Sequence, residues 1–455
     1  MYRSKTGRRG WLILGLLLAA SPAAAQAPPP VAIPVSDFGP VWTGFYVGAA
    51  FGGGGATNTL TASTPGLSTT FDGVGGSGVL GSVYGGFDYR VSQRGVLGLL
   101  AELTYSGFQG FASAQVPGAN ANVNLNTGLG WAVLARAGIL ATPATLLYLV
   151  GGYAGQNVHS DGFASAGGQA ASFSNDQTVN GWTIGPGFET MLGGNWSAKL
   201  EYRYSQFGQT TLAGTNIPLT TSNQAVRAGL SYRFGGLGVA SSDAPATPPA
   251  PTNVNWTGVY AGVAGGAGAS FGRVNAVAGP ATASFNSGSQ ALLGSVFAGA
   301  DYQFAPQALV GVMGDLTWTG LQATLNIATP GGNTYLTAAV NRQWSVMGRL
   351  GWLPTPSTLL YGAAGYSEAN LYSTAAAPGA YTSRNTAFGG FTVGPGVETV
   401  VTGGWTTRLE YRYTQFAQQD FAPGVSMQPA NHTIRAGLSY KFGLGGGASS
   451  ASAAN

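Results

Sequence analysis

The chain has no cysteine, only two histidines and few charges of either sign. Without cysteine there is neither a disulfide to hold the fold nor a thiol for redox or nucleophilic chemistry. That suits a chain that stays unfolded while crossing an oxidising compartment. Asp, Glu, Lys and Arg make up 7% of the residues, against roughly 25% in an ordinary soluble domain. Hydrophobic residues nevertheless reach only 44%, while glycine contributes 75 of 455 positions, more than twice the usual ~7%. Few charges, few helix formers and many Gly, Thr, Tyr and Val point to β-strands whose outer face does not meet water.

Long apolar runs are also missing. None reaches the ~20 residues a membrane-spanning helix needs. The run Trp11–Ala20 follows Arg3, Lys5, Arg8 and Arg9 and precedes Ser21-Pro22-Ala23-Ala24-Ala25, the pattern of a secretory signal peptide over residues 1–25 with cleavage after Ala25. Removing it removes the apparent basicity. Of 19 Lys and Arg, four lie in the signal peptide, and all 15 Asp and Glu lie beyond it. The exported chain therefore balances at 15 minus 15, or zero, and implies no nucleic-acid partner.

What the sequence does contain is a long internal repeat. LEYRYSQF at 200–207 returns as LEYRYTQF at 409–416. WTGFYVG at 42–48 returns as WTGVYAG at 256–262, GSVYGGFDYR at 81–90 as GSVFAGADYQ at 294–303, and RAGLSYRF at 227–234 as RAGLSYKF at 435–442. The organisation expected is a signal peptide (1–25), a Pro-rich tether (26–40), a first copy (41–234), a Pro/Ala/Ser-rich linker (235–255), a second copy (256–442) and a disordered tail (443–455).

Each copy contains eight strand candidates. In the first they fall near 42–54, 76–91, 95–110, 128–141, 145–158, 178–192, 195–209 and 223–234. Their connections alternate in length. VSQRG, ATPAT and LGGN are short, whereas the segments near 55–75, 111–127, 159–177 and 210–222 are long and rich in small polar residues. An even number of strands with short turns at one end and long loops at the other describes an all-β, antiparallel transmembrane barrel.

The opening WTGFYVG, the late LEYRY strand and the closing RAGLSYRF resemble the small outer-membrane β-barrel proteins of proteobacteria, the opacity-like or porin-family barrels. The resemblance covers about 42–234 and 256–442. It implies eight antiparallel strands per copy, periplasmic strand ends and linker, and long loops exposed on the cell surface. It also implies that Tyr232 with Phe234, and Tyr440 with Phe442, form the closing aromatic signal read by the barrel-assembly machinery. The other partners it implies are outer-membrane lipid and lipopolysaccharide. In this chain Phe442 is followed by thirteen further residues, and most relatives carry a single copy.

Two eight-stranded barrels and one sixteen-stranded barrel are both even-numbered. The repeated edge signatures, the unpatterned linker and a complete set of inward charges in each copy favour two. With Arg203 and Arg227 inward, a period of two places Asp88, Glu102, Arg136, Glu189, Lys199, Glu201 and Arg233 inside the first copy. Their counterparts are Asp301, Asp315, Arg349, Glu398, Arg408, Glu410, Arg412, Arg435 and Lys441. The same alternation turns Leu200, Tyr202 and Tyr204 toward lipid.

An eight-stranded barrel is just wide enough for side chains to fill, so these charges read as a pairing network that plugs the interior. The sharper alternative is a solute path with Arg136, Arg203 and Arg227 setting selectivity. Catalysis lacks its usual parts: His159 and His432 stand in different copies without counterparts, and nothing clusters for a metal or cofactor. Gly52–Gly55 is followed by no GK[ST] and is read as a strand leading into a flexible loop. Trp42, Trp196, Trp256 and Trp405 fall near periplasmic strand ends, where an aromatic girdle is expected; strict alternation turns Trp42 and Tyr46 inward instead, so their facing is left open. The resulting expectation is a non-enzymatic outer-membrane protein with a structural or surface-exposed role. A diffusion channel and a loop-borne ligand site, such as haem on His159, are the alternatives.

Overall fold

In hydrocarbon no water is available to satisfy backbone N–H and C=O groups, so a sheet can cross a bilayer only if its last strand bonds to its first. The computed structural model describes residues 42–64, 67–211, 218–234, 254–422 and 424–442. The signal peptide, the tether, nearly all of the linker and the tail lie outside the described residues. Within the first copy, β1 (Gly44–Thr64), β2 (Leu67–Arg90), β3 (Gly95–Ser106), β4 (Gln109–Val116), β5 (Ala119–Thr142), β6 (Thr145–Ala166), β7 (Gln169–Gly193), β8 (Trp196–Phe207), β9 (Thr210–Thr211) and β10 (Pro218–Arg233) follow in order. Short β4 and β9 continue β3 and β8 past a break, which leaves eight staves. All neighbours are antiparallel, and the ring closes where β1 meets β10, with Tyr46 opposite Arg233 and Gly52 opposite Arg227.

The second copy repeats this as β11 (Gly258–Ala278), β12 (Ala281–Ala305), β13 (Ala308–Thr329), β14 (Gly332–Thr355), β15 (Thr358–Ala377), β16 (Ala380–Thr402), β17 (Trp405–Phe416), β18 (Gln419–Ala422) and β19 (Val425–Phe442). Here β11 closes on β19, with Tyr260 opposite Lys441. Each copy thus closes on itself. The sixteen-stranded alternative, which needs β1 beside β19, is not what the chain forms.

Two features differ from the sequence reading. The segments read as long loops are largely strand. β5, β7 and β12 run 24–25 residues, or ~80 Å at ~3.3 Å per residue, well beyond the ~9–11 residues that cross a bilayer. Their hairpins end in tight turns such as Gly167–Gly168, where both residues have positive φ (57° and 80°), the geometry that suits two-residue hairpins. Burial alternates sharply over Gly130–Ile139 of β5 and fades over Ala119–Asn124, because the far half has water on both faces. Out there strands of the two copies also pair: Thr282–Phe285 of β12 with Ala112–Gln115 of β4, and Thr324–Ala328 of β13 with Ser68–Asp72 of β2. These two contacts correspond to each other under exchange of the copies.

The second difference concerns the outer wall. Leu200 and Tyr202 point outward, as alternation requires, but they are covered by protein instead of lipid. Leu200, Tyr202, Phe188 and Val226 pack against Leu409, Val397 and Ile434 of the other barrel, with Tyr204 and Tyr411 at the edge. These are corresponding positions, so the barrels meet through the same face in a two-fold-like manner. Thr145 Oγ1 and its counterpart Thr358 Oγ1 hydrogen-bond across the seam at 2.9 Å. Away from the seam the outward row is exposed, including Leu99, Leu103, Tyr105 and Val133, and forms the lipid-facing wall.

Because the chain lacks cysteine, closure can be read by engineered disulfides. Ala49 and Leu230 are paired across β1 and β10, whereas a single large barrel would set Ala49 beside Leu438. Oxidation of an Ala49→Cys, Leu230→Cys variant should give a cross-link between the two ends of the first copy, visible as a gel shift after proteolysis at the linker. The Ala49→Cys, Leu438→Cys pair should give none.

Candidate functional site

The interior of each barrel is built from every second residue of the eight staves. Two levels of charge result. Nearest the short turns of the first barrel, Arg136 lies between Asp88 (3.3 Å) and Glu189 (2.5 Å), and Arg233 contacts the same two carboxylates at 2.9 Å each. Ser197 donates to Glu189 Oε1 at 2.6 Å. One level further in, Arg203 bonds Glu201 (2.7 Å) and Glu102 (3.1 Å), Arg227 Nη1 bonds Glu102, and Tyr148 donates to Glu201 at 2.8 Å. Lys199 sits 3.9 Å from Glu201 and over the ring of Tyr84 at 3.4 Å.

The second barrel keeps the plan with altered contacts. Arg349 holds Asp301 and Glu398, the latter at 2.9 Å, and Lys441 donates to Asp301. Arg412 bonds Asp315 and Glu410, both at 2.5 Å, and Arg435 bonds Asp315 at 2.7 Å. Tyr361 donates to Glu410 at 2.6 Å. Arg408 forms no ion pair among the described residues; its guanidinium lies 3.3 Å from the centroid of Phe297. All eighteen charged positions read from the sequence are buried and face the barrel interiors.

Alternation alone did not find several of their partners. Trp42 and Trp256 face inward, not into a girdle. They close the barrel floors, each indole donating to a turn carbonyl, Pro143 O at 2.8 Å and Pro356 O at 2.9 Å. Tyr46 and Tyr260 are likewise inside, under Arg233 and Arg349. Strict parity pointed both Trp42 and Tyr46 inward, which was the available signal. Trp196 and Trp405 remain on the outside, each stacked edge-on against the penultimate aromatic of its closing strand, Tyr232 (5.3 Å) and Tyr440 (5.4 Å). Phe234 and Phe442 continue these clusters.

The inward charges form ion pairs in both barrels but do not balance. Each barrel holds five cations and four carboxylates. The histidines do not join them. His159 lies within extended β6, with Nδ1 2.9 Å from Asp176 and Nε2 3.6 Å from Asp161. His432 points outward from β19 between Tyr411, Tyr413 and Phe271. Among the described residues no three His, Cys, Asp or Glu side chains form a metal-binding group, and no helix is long and apolar enough to cross a membrane.

A sequence profile described as "Outer membrane protein beta-barrel domain" matches this chain twice, over residues 12–234 and 237–442. The "31 kDa outer-membrane immunogenic protein" of Brucella melitensis is 29% identical over 226 residues, covering 48% of this chain and 93% of that protein. A "22 kDa outer membrane protein" of Rhizobium leguminosarum bv. viciae is 34% identical over 33% of this chain and 65% of its own length. Among solved structures, Neisserial surface protein A aligns at 17% identity over 42% of this chain and 98% of that one, with a TM-score of 0.23.

Removing one member of a buried ion-pair cluster leaves its partners charged and unpaired, at a cost of ~3–5 kcal/mol. Glu189→Gln should therefore lower the unfolding free energy in urea, followed by heat-modifiable gel mobility, by that order and shift the midpoint down accordingly. Asp161→Asn, on the water-exposed extension of β6, should leave the midpoint nearly unchanged.

Proposed function

The chain belongs to the outer-membrane protein β-barrel domain family, which it carries twice, and we propose that it is a non-conducting structural protein of the outer membrane that presents its extended hairpins at the cell surface. One observation supports the non-conducting reading above the others. Both interiors are crossed by side chains bonded wall to wall: Arg136, Arg233, Asp88 and Glu189 in one, Arg349, Lys441, Asp301 and Glu398 in the other, each almost fully excluded from solvent. Beneath them Trp42 and Trp256 close the floor. An eight-stranded barrel filled in this way leaves no aqueous path, whereas a selective pore needs a continuous wetted one.

The outer wall supports lipid, including lipopolysaccharide, as the surrounding partner, and the exposed closing aromatics Tyr232, Phe234, Tyr440 and Phe442 support recognition by the barrel-assembly machinery. The strand extensions past the bilayer, rich in small and polar residues, support a surface role. The word "immunogenic" in the names of the Brucella relatives is in keeping with that role. Haem capture by His159 has little support, since both ring nitrogens already face carboxylates.

Two measurements test this reading. In planar bilayers the purified protein should give no stable single-channel openings; large, reproducible ones would favour the channel. In intact cells Gln169→Cys, at the tip of the β6–β7 hairpin, should react with a membrane-impermeant maleimide. Gln93→Cys, in the short β2–β3 turn, should react only after the outer membrane is permeabilised.

A further inference from the structure

Five cations face four carboxylates inside each barrel. In the first, Arg136, Lys199, Arg203, Arg227 and Arg233 stand against Asp88, Glu102, Glu189 and Glu201. In the second, Arg349, Arg408, Arg412, Arg435 and Lys441 stand against Asp301, Asp315, Glu398 and Glu410. A buried unpaired charge is strongly unfavourable. Loss of a lysine proton could remove the surplus from the first barrel. The second barrel carries Arg408 at the position of Lys199, and a guanidinium does not give up its proton. Its one lysine, Lys441, is engaged with Asp301. The surplus there needs a counter-ion.

Arg408 Nε and Nη1 are without partners, and a larger group of unsatisfied polar atoms lies beside the arginines that hold Asp315. On β19 the inward residues Asn431, Thr433 and Arg435 follow one another at every second position. Arg412 on β17 is directly opposite Thr433. Arg412 and Arg435 each use Nη1 on the two oxygens of Asp315. What remains as donors is Arg412 Nη2, Arg435 Nε and Nη2, Thr433 Oγ1 and Asn431 Nδ2, all buried and all without a hydrogen-bond partner; Asn431 Oδ1, an acceptor, is unpaired as well and turns away from an anion that Nδ2 faces. Buried donors are rarely left unpaired in native proteins, and here they follow one another along β19 and the facing position of β17, beside the two arginines that hold Asp315.

The first barrel holds a cavity of about 40 Å³ at the same level, lined by Glu102, Gln156, Thr183, Arg203, Asn223 and Arg227. Arg227 Nε in its wall is unpartnered. A water requires roughly 10–15 Å³ of such space, so the cavity takes a monatomic ion with a water or two and no organic ligand.

We propose that each barrel binds one small monovalent inorganic anion of the halide class on the outer side of its ion-pair network, held by Arg412, Arg435, Asn431 and Thr433 in the second barrel and by Arg203 and Arg227 in the first. In the second barrel the anion neutralises the surplus charge, and in both barrels it accepts hydrogen bonds from orphaned donors, Arg227 Nε among them. It is part of the filled interior and goes beyond the structural role proposed above, since it would hold for a conducting barrel as well.

The test uses the full chain in detergent micelles, unfolded by urea in sodium bromide, chloride or gluconate at equal ionic strength. The unfolding midpoint should rise with the logarithm of halide concentration and should not respond to gluconate. Asn431→Asp supplies a fixed carboxylate at the site and should remove about half of the halide response while the protein stays folded. Asn223→Asp combined with Asn431→Asp should remove nearly all of it. If an Asp variant does not fold, Arg435→Gln, which leaves four cations and four carboxylates in the second barrel, serves in its place. Bromide-soaked crystals should show an anomalous peak within hydrogen-bond distance of Arg412 Nη2 and Arg435 Nε. A midpoint indifferent to halide, a response unchanged by these substitutions, or water alone at the site would overturn the proposal.

Discussion

Backbone hydrogen bonds in hydrocarbon have no solvent to fall back on, and every other feature of this chain follows from meeting that constraint. A strand ending at Arg233 must bond to something. Because Tyr46, Gly48, Gly52 and their neighbours lie within reach after eight staves, the sheet closes there. Closure at eight fixes a bore that side chains must fill. Filling it with apolar groups would place hydrophobic faces on both sides of every strand, and such a chain would be poorly soluble on its way to the membrane. Charged and hydroxyl side chains fill the bore here and satisfy one another: Arg136 reaches two carboxylates, Ser197 and Arg233 share the second of them, and Tyr148 serves the next level. The ion-pair network is thus the interior that an eight-stranded closure permits.

The same constraint governs the outside. Away from the seam, Leu99, Leu103 and Val133 need only contact lipid. Along the seam, Leu200 and Leu409 give up lipid for each other, and in a bilayer that exchange carries little hydrophobic gain. What favours it is close packing of matched surfaces, the Thr145–Thr358 hydrogen bond and the covalent connection that makes the encounter intramolecular. Corresponding residues meeting corresponding residues is the geometry of an isologous dimer. Here it is formed by two halves of one chain, and the paired extensions of β2 with β13 and of β12 with β4 carry it beyond the membrane.

Much of this was legible in the sequence, because the side-chain period of a strand is two and a barrel turns that period into inside and outside. Glu201 and Arg203 could be placed inside once the signal peptide, the low charge content and the alternating loop lengths had marked a barrel, and the repeat placed Glu410 and Arg412 with them. Position along a strand was harder. The segments near 111–127 and 159–177 are rich in Gly, Ser, Ala and Asn, a composition typical of loops, yet they continue as strand because neighbouring hairpins supply the missing hydrogen bonds. That Leu200 faces another barrel was not readable either, since lipid and an apolar protein wall select the same side chains. Trp42 shows the converse error: proximity to a strand end suggested a girdle, while its parity, and the Pro143 carbonyl waiting inside, placed it on the floor.

Comparison of the two interiors shows which property the fold constrains most tightly. Each barrel has four arginines and one lysine, but the lysine has moved. In the first it is Lys199, near Glu201 and over Tyr84, and Arg233 bridges Asp88 and Glu189 below it. In the second Arg408 takes the upper place over Phe297, and Lys441 takes the lower one, reaching Asp301 without pairing to Glu398. Glu398 then relies on Arg349 and Thr406. Hydrogen-bond partners, ring types and even carboxylate length (Glu102 against Asp315) have all changed between copies, while the numbers of positive and negative groups have not. A cluster held only by pairwise geometry would not tolerate such exchanges, because each loss would leave an orphaned charge. A cluster held by its total charge does, since any cation placed in the shared low-dielectric bore acts on every carboxylate in it.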